Sequence, residues 1–258
     1  MNKIPKISIA LSVAILSAGC VGHAHLIPGP ERVSPDAAGR IKSVAVISTC
    51  GDTLNLESTG AISHTDNLFD AKEWGFNSQI FDEIATVMGN QYTIKPVTYE
   101  ASYFEPDLKA LYPLGLDISA AVRDHAKLNA GDSVDAYLVV WAARRRDAVL
   151  GTPAELKGIG LYQFSFLTRE DSAAFAACTM TVLDGHSFEV LGESDVEVPS
   201  DPAGSIFQGA FGVPIDNSLW AEKTADISPE QKQKLQQIFK AILHAEIEPT
   251  LRVLRLVH

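Results

Sequence analysis

The chain lacks a surplus of positive charge. Its 258 residues include 21 Lys and Arg against 32 Asp and Glu, which gives a formal net charge of −11. Proteins that bind nucleic acid use a basic surface to displace counterions from the phosphates. An acidic chain is a poor candidate for that role, and we expect no nucleic-acid partner. With 46% hydrophobic residues, the chain can nevertheless build a folded core.

The sequence also lacks the motifs that mark metal and nucleotide sites. It contains no His-x-x-x-His, Cys-x-x-Cys or calcium-loop spacing, and its later histidines stand singly. Neither a Walker loop nor a Gly-x-Gly-x-x-Gly turn is present. We therefore expect no metal and no cofactor.

Long hydrophobic runs are missing as well. The apolar stretch near the amino terminus, residues 7–18, follows Lys3 and Lys6 and is too short for a membrane-spanning helix, which needs roughly 20 residues. A basic head, a short apolar run and small residues are typical of an export signal. We assign residues 1–19 to this signal peptide.

The signal ends in Ser17-Ala18-Gly19-Cys20, which resembles the lipobox of bacterial lipoproteins. The resemblance implies that Cys20 receives a diacylglyceryl lipid and becomes the first residue of the mature protein. Val21 after the cysteine then implies an outer-membrane anchor, with the body facing the periplasm. The alternative is ordinary cleavage after Ala24, which would release a soluble periplasmic or secreted protein.

Two of the three cysteines, Cys50 and Cys178, remain once Cys20 is assigned to lipid. In an oxidising compartment an even pair can form a disulfide. Two buried thiols are the alternative, because free cysteine is among the residues most often found inside proteins.

The chain after the signal divides into a Pro- and Gly-rich tether, residues 20–40, and a single domain, residues 41–258. The domain opens with an apolar segment at 41–49, a helical pattern that starts at Asn77 or Ser78 and stops at Gly89, and an edge strand at 92–99. A helix capped by Asp117 and ended near Gly131 precedes a second apolar segment at 134–142. This order predicts a βαβαβ unit with three parallel strands.

Three alternating segments follow, at 160–167, 173–183 and 188–198, and predict an antiparallel meander. The last one sends acids, including Glu193 and Asp195, towards water. Ser228, Pro229 and Gln231 then mark the start of a long amphipathic helix through a capping box. The predicted fold class is α/β (α+β), a two- or three-layer sandwich with a mixed sheet and a carboxyl-terminal helix.

A possible ligand loop follows the first strand at Gly51-Asp52-Thr53-Leu54. This motif resembles the start of the GDSL hydrolases, and the resemblance implies that Thr53 is a nucleophile in place of serine. That family pairs its nucleophile with a late Asp-x-x-His, which this chain does not contain.

Arg144, Arg145 and Arg146 follow directly on the segment at 134–142. Ligands of α/β folds bind beyond the carboxyl ends of parallel strands, where Asp52 and Thr53 are also expected. Three guanidinium groups at that edge can clamp a carboxylate or phosphate. The alternative is a strand that ends in solvated charges.

The lipobox, the tether and the βαβαβ unit with added antiparallel strands together resemble envelope lipoproteins of the curli-secretion and penicillin-binding-protein-activator type. The resemblance implies an accessory lipoprotein, not an enzyme, that binds a partner protein or an envelope polymer. A GDSL-like esterase and a small-anion-binding protein are the alternative functions.

Overall fold

The computed structural model describes residues 32–104, 116–196 and 211–258; the signal peptide, Cys20 and most of the predicted tether lie outside them. No helix in this part of the chain is long and apolar enough to cross a membrane. Its α-helices are α1 (Pro35–Arg40), α2 (Phe76–Met88), α3 (Ile118–His125) and α4 (Pro229–Val253). Its strands are β1 (Ser43–Ser48), β2 (Thr53–Thr59), β3 (His64–Asp70), β4 (Thr93–Lys95), β5 (Val97–Thr98), β6 (Lys127–Leu128), β7 (Ala136–Ala142), β8 (Arg144–Arg146), β9 (Glu155–Phe166), β10 (Arg169–Asp184), β11 (Val190–Asp195) and β12 (Gly212–Ile215).

Strand β10 organises the main sheet. It has 16 residues and so runs for roughly 50 Å. Its first half pairs with β9 and β12, and its second half pairs with β7 and β11. We call β3, β2, β9, β12 and the first half of β10 the distal half-sheet. The proximal half-sheet contains β4, β1, β7, β11 and the second half of β10, and it holds the first strand of the chain.

The predicted mixed α+β fold is confirmed. Strands β7, β1 and β4 are parallel neighbours, as the βαβαβ order predicts. β9, β10 and β11 form the antiparallel meander, although β11 pairs with the half of β10 that β9 does not touch. Pro96 separates β4 from β5, which leaves the main sheet to pair with β6.

The sequence left open whether the sandwich has two layers or three, and the structure has three in one half of the sheet and two in the other. Helices α2 and α4 cover one face of the sheet along its length, with the core side chains of Phe76, Ile80 and Phe239 between them and the strands. On the other face, α3 covers only the proximal half. The distal half is covered on that face by the turn between β8 and β9 and has no second helical layer. The proximal half therefore has three layers and the distal half has two.

The helix ends follow the sequence in two cases and differ in two others. Ser228 and Gln231 form the predicted capping box of α4, and Asp117 caps α3 through Ala120 N–H. Helix α3 ends at His125 and not near Gly131. The cap of helix α2 is Gly75, two or three residues before the predicted Asn77 or Ser78, and it has no side chain to cap the helix.

The tether is shorter than predicted. Residues 35–40 form α1, and Val33 is fully buried. A β-carbon on Gly192 of β11 would lie 2.8 Å from the Val33 nitrogen, so this close packing requires glycine. The segment from Arg32 onward therefore belongs to the folded body.

Strand β11 also differs from its predicted alternation. Its register with β10 shifts between Val182 and Leu183, which is a β-bulge. As a result Val190 packs against the α3 side of the sheet, whereas Val196 joins the core under α2 and α4.

Cys50 and Cys178 are joined by a disulfide in the structure, with their Cα atoms 6.0 Å apart. Cys50 lies between β1 and β2, and Cys178 lies in the middle of β10. Both are fully buried. The bridge thus ties the chain together where the proximal half-sheet meets the distal half-sheet.

Candidate functional site

The Asp52 carboxylate lies at the start of α2. It accepts a hydrogen bond of 2.6 Å from the side-chain amide of Asn77, and burial raises its pKa, while Lys72 opposes the rise. Gly51 has a structural role, because a β-carbon there would lie 2.4 Å from Cβ of Phe76. Thr53 opens β2, and no histidine in the described parts of the chain hydrogen-bonds to it.

The arginine run forms β8, which turns back in a hairpin against β9. Arg145 forms an ion pair with Asp195 and donates a 2.8 Å hydrogen bond to Oγ1 of Thr179. Arg144 pairs with Glu155. These arginines therefore have carboxylate partners within the chain, and Arg146 is exposed.

The structure does not bring Asp52 and Thr53 together with the arginines as predicted. Cys178 faces the core under α2 and α4, so its neighbour Thr179, to which Arg145 donates, faces the opposite side of the sheet. Asp52 instead contacts the start of α2. Sequence order alone placed both groups at one edge, but the β8 hairpin and the alternation of β10 put Arg145 on the face opposite to the one at which Asp52 contacts α2.

The predicted wet, acidic face of β11 is partly used inside the molecule. Asp195 binds Arg145, and Glu193 accepts a 2.8 Å hydrogen bond from the Thr181 hydroxyl. The indole nitrogen of Trp141 donates to the same hydroxyl. These acids thus hold β11, β10 and β7 together.

A buried carboxylate on β2 was missed by sequence reasoning. Glu57 is 2% exposed, and its pKa is raised to about 7 by burial and by Asp66, while Lys157 opposes the rise. Lys157 forms an ion pair with Asp66 on β3. The Asn55 side chain lies beside the Glu57 carboxyl group and lowers its pKa, which partly offsets the effect of burial.

The turn between β8 and β9 closes over this cluster. The Asp147 carboxylate accepts hydrogen bonds from the backbone of Val149, Leu150 and Thr152, and the Thr152 hydroxyl bonds to that of Tyr162 at 2.8 Å. The alternation of β2 predicts that Asn55 and Glu57 face away from Leu54 and Leu56, as they do. No signal in the sequence shows that a distant turn covers that polar side.

The buried cluster has no metal-site geometry. Within residues 32–104, 116–196 and 211–258, no three His, Cys, Asp or Glu side chains are grouped so that they could hold a metal ion. What the cluster offers chemically is one carboxyl group that exchanges a proton near neutral pH.

A second missed feature is an apolar projection at the far end of the distal half-sheet. Ile62, in the β2–β3 turn, is fully exposed, and Leu167, in the β9–β10 turn, is 89% exposed. Phe166 beside it is half exposed. Because β2 and β9 are neighbouring parallel strands, the two turns lie side by side. We call Ile62, Phe166 and Leu167 the distal tip.

The distal tip retains its leucine at a conformational cost. The β9–β10 connection is a two-residue turn, Leu167-Thr168, and Leu167 has a φ of 56°. Turns of this length favour glycine at such a position, because a β-carbon there costs about 1 kcal/mol. Backbone strain of this kind concentrates at functional sites. Neither segment 58–65 nor segment 163–168 contains an acidic residue, in contrast to the chain as a whole.

Comparisons with known proteins give no assignment. No protein-family model matches the chain, and no curated protein matches its sequence. Among solved structures, protein XCC0632 from Xanthomonas campestris, of family DUF330, is 8% identical over 83% of this chain and 85% of its own, with a TM-score of 0.35. The hypothetical protein CT253 from Chlamydia trachomatis is 8% identical over 82% of this chain and 94% of its own, with a TM-score of 0.30. Likenesses at these TM-scores assign neither a family nor a function.

Proposed function

We propose that the chain is a periplasm-facing lipoprotein, anchored in the outer membrane through Cys20, that docks its distal tip onto a partner protein. In this proposal it is an accessory protein that binds without catalysing a reaction. The observation that carries it is the exposed Leu167 in a strained turn beside the exposed Ile62.

The positions of the anchor and the distal tip at opposite ends of the sheet favour a protein partner in the aqueous compartment. The chain enters the body at Val33 and α1, beside the proximal half-sheet, so an anchor at Cys20 attaches there. The distal tip lies at the other end of a sheet roughly 50 Å long. It therefore lies far from the point where the chain enters the body, and its apolar side chains suit a pocket on a partner.

Photo-cross-linking in cells tests the docking. A photoreactive residue at Thr168 should give one discrete protein adduct, and Leu167→Asp should abolish it. Val253→Asp is the matched control, because Val253 is an exposed apolar residue on α4, away from the tip. Adducts that form with lipid, or a protein adduct that survives Leu167→Asp, would contradict the proposal.

Mass spectrometry of the mature amino terminus tests the anchor separately. We expect a lipid-modified Cys20 as the first residue, and loss of membrane association in Cys20→Ser. An unmodified terminus at His25 would show ordinary secretion instead.

A Thr53-dependent hydrolase makes a different prediction. Because Thr53 has no histidine partner in the described parts of the chain, we expect the wild type and Thr53→Ala to give equal, background turnover of chromogenic esters. Turnover above background that Thr53→Ala removes would establish the hydrolase and overturn the accessory role.

A further inference from the structure

A half-open cavity of about 510 Å³ lies at the proximal end of the molecule, between α1 and the end of α4. Four of its lining side chains are basic or imidazole groups: Lys42, Arg252, Arg255 and His258. Among the lining residues that the structure describes, no side chain is acidic. This is unusual in a chain in which acids outnumber Lys and Arg by 32 to 21.

Arg255 reaches this cavity from a strained position. Helix α4 ends with Leu256 N–H bonded to Leu251 O and Arg255 N–H bonded to Arg252 O, the pattern of a Schellman cap. Arg255 has a φ of 62° at the place where such caps normally have glycine. A side chain there costs roughly 1 kcal/mol, and this backbone conformation directs a guanidinium to the cavity wall.

Two of the positive charges have no carboxylate partner among the residues that the structure describes. The Lys42 side chain forms no hydrogen bond or ion pair with any described residue, and Arg255 donates only to the backbone carbonyl of Val33, at 3.2 Å. Arg252, by contrast, is paired with Glu248. Lys42 and Arg255 are therefore the groups available to an anion.

The rest of the wall is suited to an amphipathic molecule. Ala38, Ile41 and Val257 supply apolar surface, and Tyr92 and Gln91 supply polar groups beside the bases. A bare inorganic anion would use only the basic part. A phosphate group that carries an apolar substituent would use both.

We propose that this proximal cavity binds the phosphate group of an anionic amphiphile through Lys42 and Arg255. The same chemistry could be supplied by a phospholipid headgroup or by free phosphate. The cavity adjoins the point where the chain leaves towards Cys20, so the headgroups of the anchoring bilayer would be the nearest source. The binding chemistry itself does not depend on the anchor or on the distal tip.

Isothermal titration of the processed protein in neutral detergent tests this site. The probes are dihexanoyl phosphatidylglycerol, the zwitterionic dihexanoyl phosphatidylcholine and inorganic phosphate. We expect the anionic lipid to bind most tightly and inorganic phosphate to compete with it. Lys42→Glu should weaken lipid binding about tenfold or more, because it removes a charge-assisted contact and adds a repulsive charge.

Lys240→Glu is the matched control, since it makes the same charge change on an exposed face of α4. Its affinity should stay within about twofold of the wild type. Equal weakening by both variants would show diffuse electrostatic attraction and overturn the proposal, as would failure of all three probes to bind. Tight binding of inorganic phosphate with no preference for the lipid would identify free phosphate as the ligand. None of these outcomes depends on the Thr168 cross-link or on the modification of Cys20.

Discussion

The two ends of the sheet carry opposite kinds of surface. At the proximal end, Lys42 and Arg255 line a cavity whose described lining residues include no acidic side chain. At the distal tip, Ile62 and Leu167 project apolar side chains from turns that have no acidic residue either. The net charge of −11 is therefore carried by other parts of the chain. At the proximal end this arrangement favours an anionic partner, because like charges near a binding site repel it.

The two half-sheets also differ in how their second face is closed. In the proximal half, α3 closes it with apolar side chains such as Ile118 and Val122. In the distal half, a turn held by Asp147 closes it and leaves Glu57 and Asn55 buried beneath. In this molecule the contacts that α3 makes with the sheet are apolar, whereas the turn brings polar groups that must be neutralised or paired.

The largest effect should come from cutting the link between the two halves. Replacing both cysteines, Cys50→Ala with Cys178→Ala, should lower the free energy of unfolding by about 5 kcal/mol, because the bridge closes a loop with a sequence separation of 128. Urea denaturation measures this loss. The double variant should match the reduced wild type; if the reduced and oxidised wild type unfold at the same urea concentration, the bridge does not stabilise the junction.

The next largest effect is a pH dependence of the free energy of unfolding that comes from the distal half, where Glu57 is buried. The pKa of Glu57 is about 7 in the folded chain against an ordinary value of 4.5, so the folded chain holds a proton that the unfolded chain has released between these values. The free energy of unfolding should therefore fall as pH rises from about 4.5 to 7, by up to about 3 kcal/mol.

Glu57→Gln should remove this fall. It should be more stable than the wild type at pH 8 and equal to it near pH 4, as followed by thermal unfolding across the range. Glu189→Gln, an exposed change on the proximal half, should leave the profile as it is in the wild type. An unchanged slope in Glu57→Gln would mean that the carboxyl group is not buried as described.

The smallest effect compares the strained residues at the two ends. Leu167→Gly and Arg255→Gly should each raise the free energy of unfolding by up to about 1 kcal/mol, because glycine adopts a positive φ without a steric cost. Leu167→Ala and Arg255→Ala are the controls, since they remove the side chain but keep the β-carbon. Equal stability of the Gly and Ala variants at either position would show that no strain is stored there.

Much of the fold was accessible from local patterns. The apolar runs gave β1 and β7, the capping box gave the start of α4, and Pro96 marked the edge of the sheet. These features depend on side-chain periodicity and on backbone chemistry within a few residues, both of which a sequence displays directly. The bulge in β11 and the start of α2 at Gly75 were missed, because each depends on what the segment packs against.

The candidate site was less predictable. The residues singled out by motif, Asp52, Thr53 and Arg144 to Arg146, are not brought together, and Arg144 and Arg145 have carboxylate partners within the chain. The features that now carry the proposals share no motif. Lys42 and Arg255 are more than 200 positions apart, and Leu167 attracts attention only once its φ angle and exposure are known.

The sequence by itself determined the order of the βαβαβ unit, the antiparallel strands after it, the final helix and the excess of acid. These follow from residue type and spacing alone. Only the tertiary structure decided where charge and apolar surface accumulate, which carboxylate is buried, and which candidate residues lie on opposite faces of the sheet. The physical reason is that burial and electrostatic environment depend on distant segments folding against one another, as the turn over Glu57 and the end of α4 beside Lys42 demonstrate.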